Sequence, residues 1–479
     1  MKVNLLYDYL TPYGYIPNGL NPNYLNPLVK NNFKIDHTTL DEYENGVGAI
    51  SVMDSNGVIF PVIGERYTVS DVYRGFDNDE YIVDENQIFL YIVAPYGGAS
   101  ATFGYEGTYN ESKSFFHFIS KNALKLIREI PNIYIFVNYS SEGTVDLNWY
   151  KIIHQDAKKF DVPLDKIVFC ISDYFIDMNY NLAKKMYGIK DIQNIRLFYL
   201  NWSLHDKAKE MLEITKGEKT QFNQYSNECS IVKKEDIDLD KVRDKKFLMY
   251  NRRLRPHRIY SVIHFDRLGI SDQFLLSYDI TSMQMYDISP DNVEMHIEDK
   301  EHQKELIKHF YKLKKEKPKQ TIDYEDLENV WGFNFEVKEP YLNSYIHITS
   351  ETNFFEIGGY FSEKTWKPIG HLQPFIFMGP ANGLKEMKKL GFKTFSPYIC
   401  EDYDNELDPE KRFNMVIQEI ERLSKIPIQE IHEWYKSIYE DVLIYNRDKF
   451  FEYSDYRKNE EIVKEKFKKL FYGEAELTQ

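Results

Sequence analysis

Only three cysteines, Cys170, Cys229 and Cys400, occur in the 479 residues, far apart and without a C-x-x-C pair. Such spacing suggests neither a disulfide framework nor a zinc cluster, and buried thiols are the expectation. No apolar run approaches the ~18 residues that a membrane span needs. The opening MKVNLLYDYLTPYGYIPNG is broken early by Asp8 and Pro12, so it does not read as a leader. No membrane span and a cytoplasmic setting are therefore expected. An excess of positive charge is also lacking. Lys and Arg number 60 against 75 Asp and Glu, a formal net charge of −15, which works against a broad grip on nucleic acid or anionic lipid. A local basic cleft remains open. Neither an internal repeat nor a low-complexity tract stands out.

Aromatic residues are abundant, at 16% with 38 Tyr and 32 Phe. Rings in such number belong mainly to cores and interfaces, with a sugar site as a lesser use. The length favours two large domains, or two plus a terminal extension. In the first half, QIFLYIVAPY (87–96) reads as a buried strand, SKSFFHFISKNALKLIREI (112–130) as an amphipathic helix and NIYIFVNYS (132–140) as the next strand. The pattern continues with a helix over 147–160, a strand over 166–173, a helix over 179–188 and a strand over 195–203, which predicts a parallel sheet covered by helices. The first ~85 residues carry no regular pattern. A charged, strand-poor stretch, IVKKEDIDLDKVRDKK (231–246), reads as the linker or its neighbourhood.

The second half is again α/β. A strand over 246–253 precedes a helix from Pro256 to Leu268. A strand over 345–352 leads through Gly358-Gly359 to a helix beginning near Ser362, followed by a strand over 373–379 and a helix over 382–391 ended by Gly391. The last ~70 residues have the apolar three- and four-residue spacing of helices.

Three segments carry chemistry, each at a strand end or helix start, where ligands of open α/β sheets gather. In Tyr360-Phe361-Ser362-Glu363-Lys364, Ser362 is placed to cap a helix, Lys364 to meet phosphate and Glu363 a ribose hydroxyl. The same residues would equally make an ordinary capped helix with a solvated ion pair. In Asn251-Arg252-Arg253-Leu254-Arg255-Pro256-His257-Arg258, four arginines fall within seven residues. Guanidinium forks match phosphate oxygens, although a basic surface turn would look alike. In Asn138-Tyr139-Ser140-Ser141-Glu142-Gly143, Glu142 is a candidate base or a plain loop residue. His257 and His371 lie near these segments as phosphate contacts or structural histidines. Asp402-Tyr403-Asp404 has the D-x-D look of a metal site but reads as a solvated acidic loop, so no metal ligand is assigned.

In this order the segments resemble the α1,3-fucosyltransferase family and its relatives in bacteria and large DNA viruses or phages. The family's F-E-N-S, then Y-x-T-E-K, then V-P-x-x-x-G is similar to Thr349-Ser350-Glu351-Thr352-Asn353, Tyr360 to Lys364, and Gln373-Pro374-Phe375-Ile376-Phe377-Met378-Gly379. Its strand ending in S-N, with a later Arg, is similar to Tyr250-Asn251 with Arg258, Arg255 competing for that role. Its base segment W-x-x-F-x-x-E-S is similar to Phe136 through Glu142.

The resemblance implies a GT-B fold of two Rossmann-like domains facing a cleft. Residues 1–235 would form the acceptor-side domain, 236–405 the donor domain and 406–479 a helical C-terminal segment. It implies inverting, metal-independent transfer of fucose or another sugar from a nucleotide sugar, such as a GDP-sugar, to a glycan or other hydroxyl acceptor, with no cofactor. A viral protein would work in the host cytoplasm. Glu142 would be the base; Arg255 or Arg258 and Lys364 would face the diphosphate; Glu363 would face the ribose; and Asn251, Glu351, Tyr360 and Ser362 would complete the donor site. A transferase acting on DNA bases and a non-catalytic nucleotide-sugar-binding protein are the alternatives. Ser362 stands for the family's Thr and Thr352 for its Asn. Thr365-Trp366-Lys367-Pro368 replaces small apolar residues, which leaves the sugar open.

Overall fold

A computed structural model describes residues 2–7, 9–11, 14–16, 63–68, 72, 87–93, 116, 119–139, 147–217, 230–251, 255–280, 293, 296–320, 322, 337–355 and 358–473. The chain divides into two compact units, residues 1–202 with 456–479, and residues 203–455. The division falls at 202/203, so that 203–235 and 406–455 go with the second unit. The charged stretch 231–246 is built into that unit. Ile231 and Val232 are buried, and the Arg447 guanidinium donates to the Val232 carbonyl at 2.9 Å.

The first unit is a parallel sheet of β1 (Lys2–Tyr7), β4 (Ile63–Thr68), β5 (Gln87–Val93), β6 (Ile133–Tyr139), β7 (Ile167–Ile171) and β8 (Arg196–Tyr199), with β2 (Tyr9–Thr11) and β3 (Gly14–Ile16) forming a separate hairpin. The order is β4-β1-β5-β6-β7-β8, every pair parallel. Helices α1 (Lys121–Glu129), α2 (Asn148–Lys159) and α3 (Ile176–Tyr187) connect successive strands. Alternation along the strands separates two cores, as period-two geometry requires. Ile133, Ile135 and Val137 of β6 face one way with Ala123, Ile127 and Ile153, whereas Phe136, Val168, Cys170 and Phe198 face the other. The second face is covered from the far end of the chain, by Val463 and Phe467 of a helix over Tyr456–Tyr472. Phe467 stacks on Phe198 with centroids 4.6 Å apart.

In the second unit α4 (Trp202–Thr215) comes first. The sheet follows, with β9 (Lys245–Asn251), β10 (Phe274–Asp279), β11 (Lys319–Gln320), β12 (Ser344–Ser350) and β13 (Phe375–Met378). The order is β11-β10-β9-β12-β13, parallel except for the β10–β11 edge. Its helices are α5 (Pro256–Arg267), α6 (Lys300–Glu316), α7 (Glu339–Leu342), α8 (Glu363–Gly370), α9 (Gly383–Lys389), α10 (Pro409–Ser424), α11 (Ile428–Ile438) and α12 (Tyr445–Glu452). The Tyr456–Tyr472 helix, α13, belongs to the first unit. The expected strand over 195–203 stops at Tyr199, and the apolar Trp202 opens α4 instead. Of the thiols, Cys170 is buried as expected but Cys400 is exposed; Cys229 lies outside the described residues. Among the described residues no helix is long and apolar enough to cross a membrane.

Truncating Phe467 removes a ring enclosed by Phe136, Phe198 and Phe471. Phe467→Ala should cost about 3 kcal/mol or more in chemical denaturation of the first unit. A second expectation concerns acid. His264 of α5 and His302 of α6 meet Nε2 to Nε2 at 3.2 Å, so one ring donates to the other and the two cannot both be charged without losing that bond. Burial, with His302 and Arg267 adding, lowers His264 from 6.5 to about 3. Burial also lowers His302, against the pull of Glu410. Because the unfolded histidines bind protons first, stability is full above about pH 6.5. Below it stability falls by up to about 1.4 kcal/mol per pH unit for each histidine. Urea midpoints at about pH 7 and about pH 4 should converge in His264→Gln relative to the unsubstituted protein.

Candidate functional site

In the second unit the chain runs from β9 through α5 to β10 on one side, and later places β12 on the other side of β9. The direction of winding therefore reverses between β9 and β12, and such a switch point opens a crevice beyond the carboxyl ends of the strands. Asn251 ends β9 and Ser350 ends β12. The pairing Ser344↔Lys245, Ile346↔Phe247, His347↔Leu248, continued in step, sets Ser350 beside Asn251 on one face of the sheet. That face is covered by α5. Phe265 stacks on Phe274, which stacks on Phe247, and the Ser261 hydroxyl donates to Met378 Sδ at 3.3 Å. Both amide atoms of Asn251 and the Ser350 hydroxyl are buried without a hydrogen-bond partner among the described residues. Buried polar atoms are nearly always satisfied, so these three call for partners such as water.

Above them stands the first turn of α5. Pro256 occupies its opening position, where the missing N–H costs nothing. The turn contains no acidic residue, and the N-cap Arg255 makes no side-chain cap bond. Arg258 is buried and donates Nη2 to the carbonyls of Ser350, at 3.1 Å, and Glu351, at 2.9 Å. His257 donates Nε2 to the same Glu351 carbonyl at 2.9 Å. Burial, with Arg258 and Arg255 beside it, holds His257 neutral, well below its ordinary range. Two guanidiniums at an uncapped helix N-terminus oppose the helix dipole, an arrangement that an anion relieves.

The second helix start at the crevice is that of α8, and Glu351 fixes it. Its fully buried carboxylate accepts from the Ser362 N–H (3.0 Å), the Ser362 hydroxyl (2.6 Å), the Thr352 N–H (2.9 Å) and the Thr365 hydroxyl. With both oxygens engaged, Glu351 acts as the site's anchor. Ser362 is the N-cap expected of it, accepting from the Lys364 N–H. Lys364 Nζ then lies 2.6 Å from Glu363 Oε1, the two side chains 23% and 17% exposed. Burial pushes the Glu363 carboxyl up, but Lys364 and Lys367 outweigh it and hold the group low. Burial and the Arg258 guanidinium lower Lys364, against the pull of Glu363.

Asn251, Arg255, Arg258, Glu351, Ser362, Glu363 and Lys364 thus gather around one switch point, with Tyr360 half-buried at its edge. Glu142, Arg252 and Arg253 lie outside the described residues. His371 belongs to the core, where it stacks on Tyr341 at 3.8 Å and accepts from the Val232 N–H. Trp366 is also core, against Phe361, Phe392 and Phe450, so its departure from the fucosyltransferase pattern is a matter of packing. The D-x-D segment differs from the solvated loop expected. Asp404 is 5% exposed and caps α9 by accepting from the Leu384 and Lys385 N–H groups. Among the described residues no group of three or more His, Cys, Asp or Glu side chains is arranged to hold a metal.

Sequence reasoning missed Arg412, which ties the loop after β12 to the end of β13 through the carbonyls of Phe354 (2.6 Å) and Gly379 (3.1 Å). Such long-range contacts leave no local signal. Thr365 was in plain view three residues after its cap, the one spacing clue overlooked.

The second unit is a Rossmann-like α/β domain by topology, and the first unit is likewise a parallel α/β sheet. No protein-family model matches the chain, and no curated protein matches it. Glu351→Ala leaves the Ser362 N–H, the Ser362 hydroxyl and the Thr365 hydroxyl facing an apolar gap. It should cost roughly 3 kcal/mol or more in urea denaturation, at about 1 kcal/mol or more for each orphaned donor.

Proposed function

We propose that the chain is a glycosyltransferase of GT-B type, related to the α1,3-fucosyltransferases, that takes its sugar from a nucleotide-sugar donor. One observation carries the reading: two helix starts, α5 and α8, meet at the β9/β12 switch point with Arg255, Arg258 and Lys364, above buried polar atoms that lack partners. A diphosphate fits this chemistry, because it brings two or more negative charges and many acceptor oxygens to a place supplied with donors. The largely buried Glu363, kept ionised by its lysines, suits the hydroxyls of a ribose. Two parallel α/β sheets, with the last helix assigned to the first unit, are what a GT-B chain would have.

In the proposed reaction, the acceptor hydroxyl attacks the anomeric carbon and its proton passes to a base, for which the family resemblance offers Glu142. The bond from that carbon to the phosphate oxygen breaks with inversion, and the nucleoside diphosphate departs with the electron pair. Arg258 and Lys364 stabilise the charge that grows on the leaving oxygen, the role that positioned cations play in such transfers. A glycan or other hydroxyl compound is the acceptor, and a GDP-sugar heads the possible donors.

Thermal shift with GDP-, UDP-, dTDP- and CMP-sugars tests this. One of them should raise the melting temperature, since a ligand at a hundred times its Kd adds about 2.7 kcal/mol. Arg258→Ala and Lys364→Ala should each weaken that ligand roughly tenfold or more. Silence across the panel overturns the reading, and binding without turnover on any hydroxyl acceptor points to the non-catalytic alternative.

A further inference from the structure

Helices α5 and α6 meet through two imidazoles. His264 of α5 and His302 of α6 are both half-buried, their Nε2 atoms 3.2 Å apart and their rings edge to face with centroids at 5.3 Å. Asp299 caps α6 and accepts from the His302 N–H at 3.0 Å, which fixes the backbone that carries one ring. Behind that ring stands Glu410, in the first turn of α10. Its Oε2 accepts from the Glu298 N–H at 2.8 Å, and its Oε1 lies 3.9 Å from His302 Nδ1. A carboxylate on that side keeps the His302 proton on Nδ1 and leaves a lone pair on Nε2, the nitrogen turned to His264. The charges around the pair are matched, Arg267 by Glu305 and Lys312 by Asp266.

We propose that His264 and His302 together bind one transition cation of the zinc or nickel kind, which clamps α5 to α6. A tetrahedral ion with nitrogens at about 2.05 Å sets two of them about 3.3 Å apart, and the two Nε2 atoms already stand at 3.2 Å. Without the ion, His264 donates its Nε2 proton to His302. With it, His264 releases that proton to water and takes one on Nδ1, so that both lone pairs meet at the metal and the protein's charge is unchanged. Glu410 then backs His302 as the carboxylate of a carboxylate–histidine–metal relay. Imidazole suits zinc, nickel and copper, whereas magnesium and calcium call for oxygen. Among the described residues no third His, Cys, Asp or Glu is arranged to join the pair, so water completes the shell, and the partial exposure of both rings gives it access. His264 lies about 10 Å along α5 from His257. The ion therefore stands apart from the proposed donor crevice, and the inference does not rest on the nucleotide-sugar reading. What the ion supplies is stability, by tying the helix that presents Arg255 and Arg258 to its neighbour.

The test uses the full chain, freed of metal with EDTA and dialysed, then titrated at about pH 7.5 with zinc, nickel and magnesium chlorides by calorimetry and thermal shift. Zinc and nickel should raise the melting temperature by about 5 °C at saturation, and magnesium should not. His264→Gln and His302→Gln should each lose tenfold or more in zinc affinity at this site, because a glutamine side chain of either is a poor ligand for such an ion. Glu410→Gln leaves both rings in place and should weaken zinc about tenfold through the lost support of His302. A chain that zinc and nickel do not stabilise overturns the proposal. So does zinc stabilisation that persists undiminished in folded His264→Gln and His302→Gln, since the ion would then sit elsewhere. Should neither histidine variant fold, Glu410→Gln decides, and an unchanged zinc affinity there overturns the proposal equally.

Discussion

The second unit depends on one buried carboxylate. Glu351 sits at the carboxyl end of a central strand with no solvent contact, and an ion there is tolerable only because four donors converge on it. Those donors come from the turn after β12 and the first turn of α8. The same residue's carbonyl receives Arg258 and His257 from the first turn of α5. A single residue therefore registers three elements against one another, its side chain holding one helix start and its backbone the other. Remove the charge and the two helix starts no longer share an origin.

This arrangement also explains why the site is cationic in a protein of net charge −15. The carboxylate of Glu351 is held by neutral donors and not by a guanidinium. Glu363 is matched by Lys364 and Lys367. Arg258 is held by the carbonyls of Ser350 and Glu351, and Arg255 stands beside it at the start of α5. Overall charge speaks against a broad grip on nucleic acid or anionic lipid, and the local cluster of cations is compatible with that.

Much of the fold was legible in the sequence because the strands are short, apolar and bounded by polar turns. Strands β5, β6, β7, β9, β12 and β13 and most helices between them lie within a few residues of where periodicity sets them, whereas the helix expected over 112–130 begins only at Lys121, capped by Ser120. Residues 195–203 misled for a physical reason: Leu200 and Trp202 continue the apolar run of β8, but the strand ends at Tyr199 and Trp202 already begins α4. Strands β1 and β4 pair with each other although more than fifty residues separate them, and nothing local announces that. The candidate site was legible where it is contiguous, as in Tyr360 to Lys364 and Asn251 to Arg258. It was illegible where it depends on distant support, as with Ser203 and Arg412.

Helix α8 is gripped along its whole length, by Glu351 at its start, by Ser203 at Trp366 and by Met211 at Gly370. An element so constrained has little freedom to drift. Any substitution that reshaped it would first have to be accommodated by two other segments. Change at this site would therefore fall on the residues around α8 before it reached the helix itself.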